Sequence, residues 1–193
     1  MLSLCFKLNF AKNTKMSSTK KLKLEELGRI DVETFKETKK IPLVVVLDNV
    51  RSMHNVGAVF RTADAFIVEK IILCGITPVP PHREIHKAAL GATESVDWIY
   101  EKEISTAIKN LKNDGFEIVG IEQTTNSQNI EDYAINRDKK YALVLGNEVD
   151  GLSDEALPLY DTFLEIPQLG TKHSLNVSVC AGIVIWEFFR NLK

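Results

Sequence analysis

A series of short apolar runs, each without polar alternation, constrains this chain more than any other feature. They are LVVVLD (43–48), KIILCG (70–75), FEIVGIE (116–122), YALVLG (141–146) and FLEIP (163–167). A strand with one face in water alternates apolar and polar residues. A run rich in Val, Ile and Leu at successive positions suits a strand buried on both faces. Between these runs lie stretches with helical spacing. Asn55 to Phe66 places Val59, Phe60, Ala63 and Phe66 on one face, and Ile104 to Asp114 is amphipathic and stopped by Gly115. Further helices are expected over Ile85–Leu90, from Ser153 to Leu157 with Ser153 as N-cap, and over Leu175–Leu192. VDWIYE (96–101) reads as a short edge strand, and the polar stretch 124–140 as connection with one helical turn. The expected fold class is α/β, a mostly parallel sheet flanked by helices on both sides.

The 193 residues fit one domain with a tail. Residues 1–20 read as a disordered basic tail, 21–40 as a helical extension, and 41–193 as the main domain. The first 24 residues carry six lysines and no acid, and Met16 is an alternative start. MLSLCFKLNF is too short an apolar run, broken by Lys7, for a signal peptide, and no run approaches the roughly 20 residues a membrane span needs. The net charge of −2 means that a nucleic acid would be held by a local basic patch. Cys5, Cys74 and Cys180 are scattered and odd in number, which argues against a disulfide framework and for a reducing, cytoplasmic setting. Without a CxxC pair, and with only His82 and His86 at helical spacing, no metal site is expected.

Three segments carry the chemistry. In DNVRSMHNVGAVFRTADAF (48–66) a strand ends at Asp48 and a loop leads into a helix, the place where open α/β sheets bind ligands. Arg61 lies under two turns beyond Asn55; it either faces that crevice, where it suits a phosphate, or is a surface arginine paired with Asp64 or Glu69. In LVLGNEVDGLS (143–153) a strand runs into a glycine turn that lets backbone approach a ligand, and it is neither a Walker loop nor a GxGxxG fingerprint. In IPQLGTKHSLNVSVCA (166–181) the polar trio Ser174, Asn176 and Ser178 is threaded through Leu175, Val177 and Val179 just before an apolar helix. Polar groups entering a core need partners, and a ligand would supply some of them.

Taken in this order, the three segments resemble the SpoU (TrmH) family of SPOUT methyltransferases over roughly residues 42–190, and GATESV (91–96) is similar to the family as well. The resemblance implies transfer of a methyl group from S-adenosylmethionine to a ribose 2′-hydroxyl of RNA. It also implies a deep C-terminal trefoil knot and a homodimer. By the same resemblance Gly146, Ile166 and Leu175, with Gln123, contact the cofactor. Arg61 matches the family's catalytic arginine, and Asn55, Glu148, Ser174 and Asn176 match positions near the reacting centre. Arginine is effectively always protonated, so Arg61 suits a cation that holds phosphate and developing alkoxide better than a base. Ser174, Asn176 or water then carries the proton.

Arg51, His54, Arg83, Lys87 and Lys172 are candidates for an RNA-facing patch, each singly an ordinary surface residue. Trp186, Phe188 and Phe189 read as core or dimer contacts, and Cys180 as a buried small apolar residue. The His54-Asn55 pair and the short form favour tRNA, with a D-loop guanosine as the expected nucleotide. The alternatives are rRNA ribose methylation and an RNA-binding module without turnover.

Overall fold

The computed structural model describes residues 19–193. The expected basic tail therefore lies, apart from residues 19 and 20, outside the described residues, as does Met16. Two compact units separate at Ile30. Within the first, Leu24–Leu27 forms one 3-10 turn, ended by Gly28 at φ 59°. The second unit begins at Asp31. The reason is α1 (Val32–Glu37), whose Phe35 is buried in the main core.

The rest of that unit alternates as the apolar runs require. Its elements are β1 (Ile41–Asp48), α2 (Met53–Ala65), β2 (Val68–Cys74), α3 (Arg83–Ala89), α4 (Ala92–Ser95), β3 (Trp98–Glu101), α5 (Ile104–Asn113), β4 (Phe116–Ile121), β5 (Gln128–Asn129), β6 (Lys140–Leu145), β7 (Thr162–Glu165) and α6 (Val177–Leu192). The strands form one sheet in the order β3-β2-β1-β6-β4-β7-β5, and every pairing is parallel. Side chains alternate strictly between two cores. Leu43, Val45 and Leu47 of β1 join Tyr141, Leu143 and Leu145 of β6 under α2, α3 and α6. Val44 and Val46 join Ala142 and Val144 under α5. A two-residue period buried on both sides is why these runs show no polar face.

Two expectations change. The polar stretch 124–140 holds its expected single helical turn, the 3-10 turn Ile130–Asp132, but also contains β5, a two-residue edge strand too short for any pattern. The element after Ser153 is a 3-10 helix, Asp154–Leu159, with Pro158 inside it and no side-chain cap from Ser153. The Ser153 hydroxyl donates to Asp48 Oδ1 at 3.0 Å instead, and its N–H donates to Oδ2 at 2.8 Å. Asp48 is fully buried, and a buried carboxylate demands donors more strongly than a helix end does. Among the described residues, no helix is long and apolar enough to cross a membrane.

Candidate functional site

The chain runs outward from β1 to β2 and β3, then returns to the other side of the sheet. The crevice this reversal opens lies beyond the carboxyl ends of β1 and β6. The loops leaving those two strands are zipped together there. Asn147 Nδ2 donates to the Asn49 carbonyl at 2.7 Å, and Asn49 Nδ2 donates to the Ser153 hydroxyl at 3.1 Å. Glu148 accepts from the N–H groups of Arg51 and Ser52, at 3.0 and 3.1 Å, and from Asn55 Nδ2 at 2.9 Å. Asn55 in turn accepts from Asn176 Nδ2 at 3.1 Å. Asn176 is the N-cap of α6, its Oδ1 accepting from the N–H of Ser178 at 2.9 Å and from the Ser178 hydroxyl at 2.6 Å. One chain of side-chain hydrogen bonds thus joins all three sequence segments.

Beside it lies a cavity of about 350 Å³ between the ends of β4, β6 and β7 and the start of α6. Gln123, Gly146, Glu148, Ile166, Ser174, Leu175 and Asn176 all line it. Asn55 reaches it through Glu148 and Asn176. Two glycines make the wall possible. A Cβ on Gly146 would lie 2.2 Å from the Gly151 carbonyl carbon, because the 146–151 turn folds back on itself through a pair of bonds between Asn147 and Gly151. Gly151 itself sits at φ 72°.

The lining carries three carboxylates, Glu122, Glu148 and Glu165, and no Lys or Arg. Glu122 closes the turn by accepting from the N–H of Gln123 at 2.9 Å and of Leu152 at 3.3 Å. Burial works to raise the pKa of Glu148, but the donors from Arg51, Asn55 and Ser52 outweigh it and hold the carboxyl below its ordinary 4.5. The Cys180 thiol is pushed up to about 11, chiefly by burial and then by Glu122, so it remains protonated.

Some residues stand elsewhere than expected. The trio is not sunk in the core: Ser174 and Asn176 are exposed and Ser178 is half-buried. Ser174 and Asn176 line an open cavity, where water as well as a ligand can satisfy them, while the Ser178 hydroxyl donates to Asn176. Cys180 is half-buried, packing against the main core on one side and lining the cavity on the other. Arg61 is exposed, is not among the cavity's lining residues, and makes no ion pair among the described residues. Six residues along a helix rotate a side chain roughly 120° away from Asn55. Asp64 accepts from the Ser95 hydroxyl, not from Arg61. Arg51, His54, Arg83, Lys87 and Lys172 are all exposed. Phe188 is fully buried against Tyr141, whereas Trp186 is half-exposed beside Phe66 and Phe189. No cluster of three metal-ligating side chains occurs among the described residues.

Sequence reasoning passed over Glu122, Glu165 and His173 as lining residues. Glu122 carried a signal, since an acid directly after a both-faces-buried strand sits at the strand's carboxyl end. His173 and Glu165 carried none.

The sequence pattern of the SpoU rRNA Methylase family matches residues 42–186. Among curated proteins, the chain is 34% identical over 156 residues to a putative TrmH family tRNA/rRNA methyltransferase of Staphylococcus aureus, covering 80% of this chain and 61% of that protein. It is 35% identical over 146 residues to the 23S rRNA (guanosine-2'-O-)-methyltransferase RlmB of Neisseria meningitidis, covering 76% and 57%. The chain thus spans about three fifths of these relatives' length. Among solved structures, an AdoMet-bound rRNA methyltransferase from Sinorhizobium meliloti superposes with a TM-score of 0.73 at 28% identity, over 82% of this chain and 60% of that one. The A. aeolicus TrmH/SpoU tRNA modifying enzyme does so with a TM-score of 0.72 at 29% identity, over 82% and 81%. With a family pattern spanning the sheet, the cavity and all three hydrogen-bonded segments, the chain belongs to the SpoU rRNA methylase family.

Proposed function

We propose that the chain is an S-adenosylmethionine-dependent methyltransferase acting on a ribose 2′-hydroxyl of RNA. The charge of the cavity carries the reading. Three carboxylates without a facing Lys or Arg repel phosphate-bearing cofactors and attract a cationic one. A sulfonium is such a cation, and about 350 Å³ falls in the range of small-molecule sites. The relatives' names point to methyl transfer, and the Sinorhizobium neighbour holds AdoMet.

Gly146, Ile166 and Leu175, with Gln123, would hold the cofactor through backbone groups that the Gly146 turn leaves accessible. When bound, the cofactor supplies an electrophilic methyl group. Glu148, ionised and spent on three donors, positions Asn55 rather than taking a proton. Asn176 is committed to Asn55 and to the α6 cap. Ser174 has no hydrogen-bond partner among the described residues and is the hydroxyl free to pass the proton to water. Arg61 holds the neighbouring RNA phosphate and the developing alkoxide from outside the cavity.

We further read the substrate as tRNA rather than rRNA, the setting as cytoplasmic, and the protein as a homodimer. Val179, Ile183 and Trp186 form an exposed apolar stripe on α6, which suits a second copy. The return of the chain from β7 to α6, past the 146–151 turn, is the path on which the family's knot would close. Incubation with radiolabelled S-adenosylmethionine and undermethylated RNA tests the activity. Mapping ribose methylation with and without the gene tests the target. Cofactor binding without transfer would reduce the protein to an RNA-binding module, and absence of both would sink the reading.

A further inference from the structure

We propose that a second cleft, between the Pro80–Pro81 turn, α3 and the start of β3, is a nucleotide subsite that grips the RNA away from the methyl-transfer cavity. This rests on reading the protein as an RNA methyltransferase. The cleft has a volume of about 550 Å³, and its walls include Pro81, Arg83, His86, Lys87, Glu94 and Trp98. Its chemistry is the reverse of the first cavity's. Arg83 is exposed and makes no ion pair among the described residues, so its guanidinium is available to a phosphate. Lys87 adds a second cation, 2.8 Å from Glu84.

Trp98 supplies what a purely ionic patch lacks. It is half-buried, packed against the main core on one side and lining the cleft on the other. An indole held in this way is a preformed platform for a base. Glu94 lines the same cleft and pairs with no cation among the described residues. A carboxylate opposes phosphate but accepts from an exocyclic base amine. The two signs therefore orient the ligand, with phosphate on Arg83 and Lys87, and base on Trp98 beside Glu94.

The cleft connects to the first site. The Glu84 carboxylate that holds Lys87 also lies 3.4 Å from His54 Nε2. His54 directly precedes Asn55, which bonds Glu148 and Asn176. One strand of RNA could thus have its target ribose at Asn55 and a flanking nucleotide in the cleft.

Fluorescence tests this directly, because Trp98 and Trp186 are the only tryptophans. In the full-length Trp186→Phe variant, bulk tRNA should quench Trp98 emission, and Arg83→Ala in that background should weaken the response. In methyl transfer with the otherwise native chain, Trp98→Ala and Arg83→Ala should each raise the KM for RNA about tenfold. Calorimetric binding of S-adenosylmethionine and kcat should stay unchanged, and Trp98→Phe should recover most of the loss. RNA binding with unchanged Trp98 emission and unchanged KM would overturn the subsite alone. Failure of the native protein to bind RNA at all would overturn the subsite and the parent reading together.

Discussion

Asn55 Nδ2 donates to Glu148 Oε1 at 2.9 Å across a sequence separation of 93 residues. Through its other amide atom the same side chain accepts from Asn176, 121 residues away. Asn55 is almost fully buried, so neither contact is readily replaced by water. The site is therefore a network in which removing one member leaves its partners unsatisfied.

Glu148→Gln tests the centre of that network. A carboxamide offers one acceptor oxygen where three donors converge, and turns its own NH₂ towards one of them. Glu148 is exposed and water can replace part of what is lost, so we expect a loss of only about 0.5–1 kcal/mol in urea denaturation at pH 7. The pH dependence has a definite sign. The folded pKa lies below the ordinary 4.5, so the stabilisation is complete above the unfolded value and is lost as pH falls through the folded one. The difference between native and variant curves should be flat from pH 7 to about 5 and shrink below that.

Asn176 has two separable duties. Asn176→Ala removes the α6 cap as well as the donor to Asn55, and should lower stability by about 1 kcal/mol. Asn176→Asp retains cap acceptors but sets an anion against Asn55 Oδ1. Its melting temperature should stay nearer the native value than that of the alanine variant, while methyl transfer falls at least as far. An aspartate variant with native turnover would show that capping is the residue's whole contribution.

Gly146→Ala places a methyl group where backbone already lies at 2.2 Å. The turn from 146 to 151 must open, and with it the wall of the cavity. Calorimetry should find S-adenosylmethionine binding lost or weakened at least tenfold. As a contrast, a Cβ on Gly182 in α6 meets nothing within 4 Å. Gly182→Ala should leave cofactor binding intact.

Arg61→Ala separates binding from turnover. Arg61 does not line the cavity, so its loss should abolish methyl transfer while leaving the calorimetric Kd for the cofactor within about twofold. Arg61→Lys keeps the charge but not the planar fork, and should recover only a small part of the rate.

The α6 stripe predicts an oligomer that one charge would break. Ile183→Asp introduces an anion between Val179 and Trp186 on a surface exposed in the single chain. Sedimentation should show a dimer for the native protein and a monomer for the variant. If both sediment alike, that face is not the interface.

Much of this was legible in the chain itself. Runs such as LVVVLD and YALVLG announce a parallel sheet because burial on both faces removes every polar position from a strand. The three polar segments likewise stand out, because each sets polar residues where an apolar strand gives way to a loop or a helix start. What no local pattern contains is how those segments meet. Ser153 looks like a helix cap until Asp48, buried 105 positions earlier, claims its hydroxyl. Glu148 matches a position near the reacting centre, and only the fold shows it accepting from three donors of another loop. Arg61 could face the crevice or the solvent by spacing alone, and only the fold shows it exposed and outside the cavity's lining. Periodicity is a property of neighbours, so sequence determined the elements and the chemistry each one brings. Hydrogen bonding across a hundred residues is a property of packing, so only the tertiary structure decided which groups are spent on holding the site and which remain free to act.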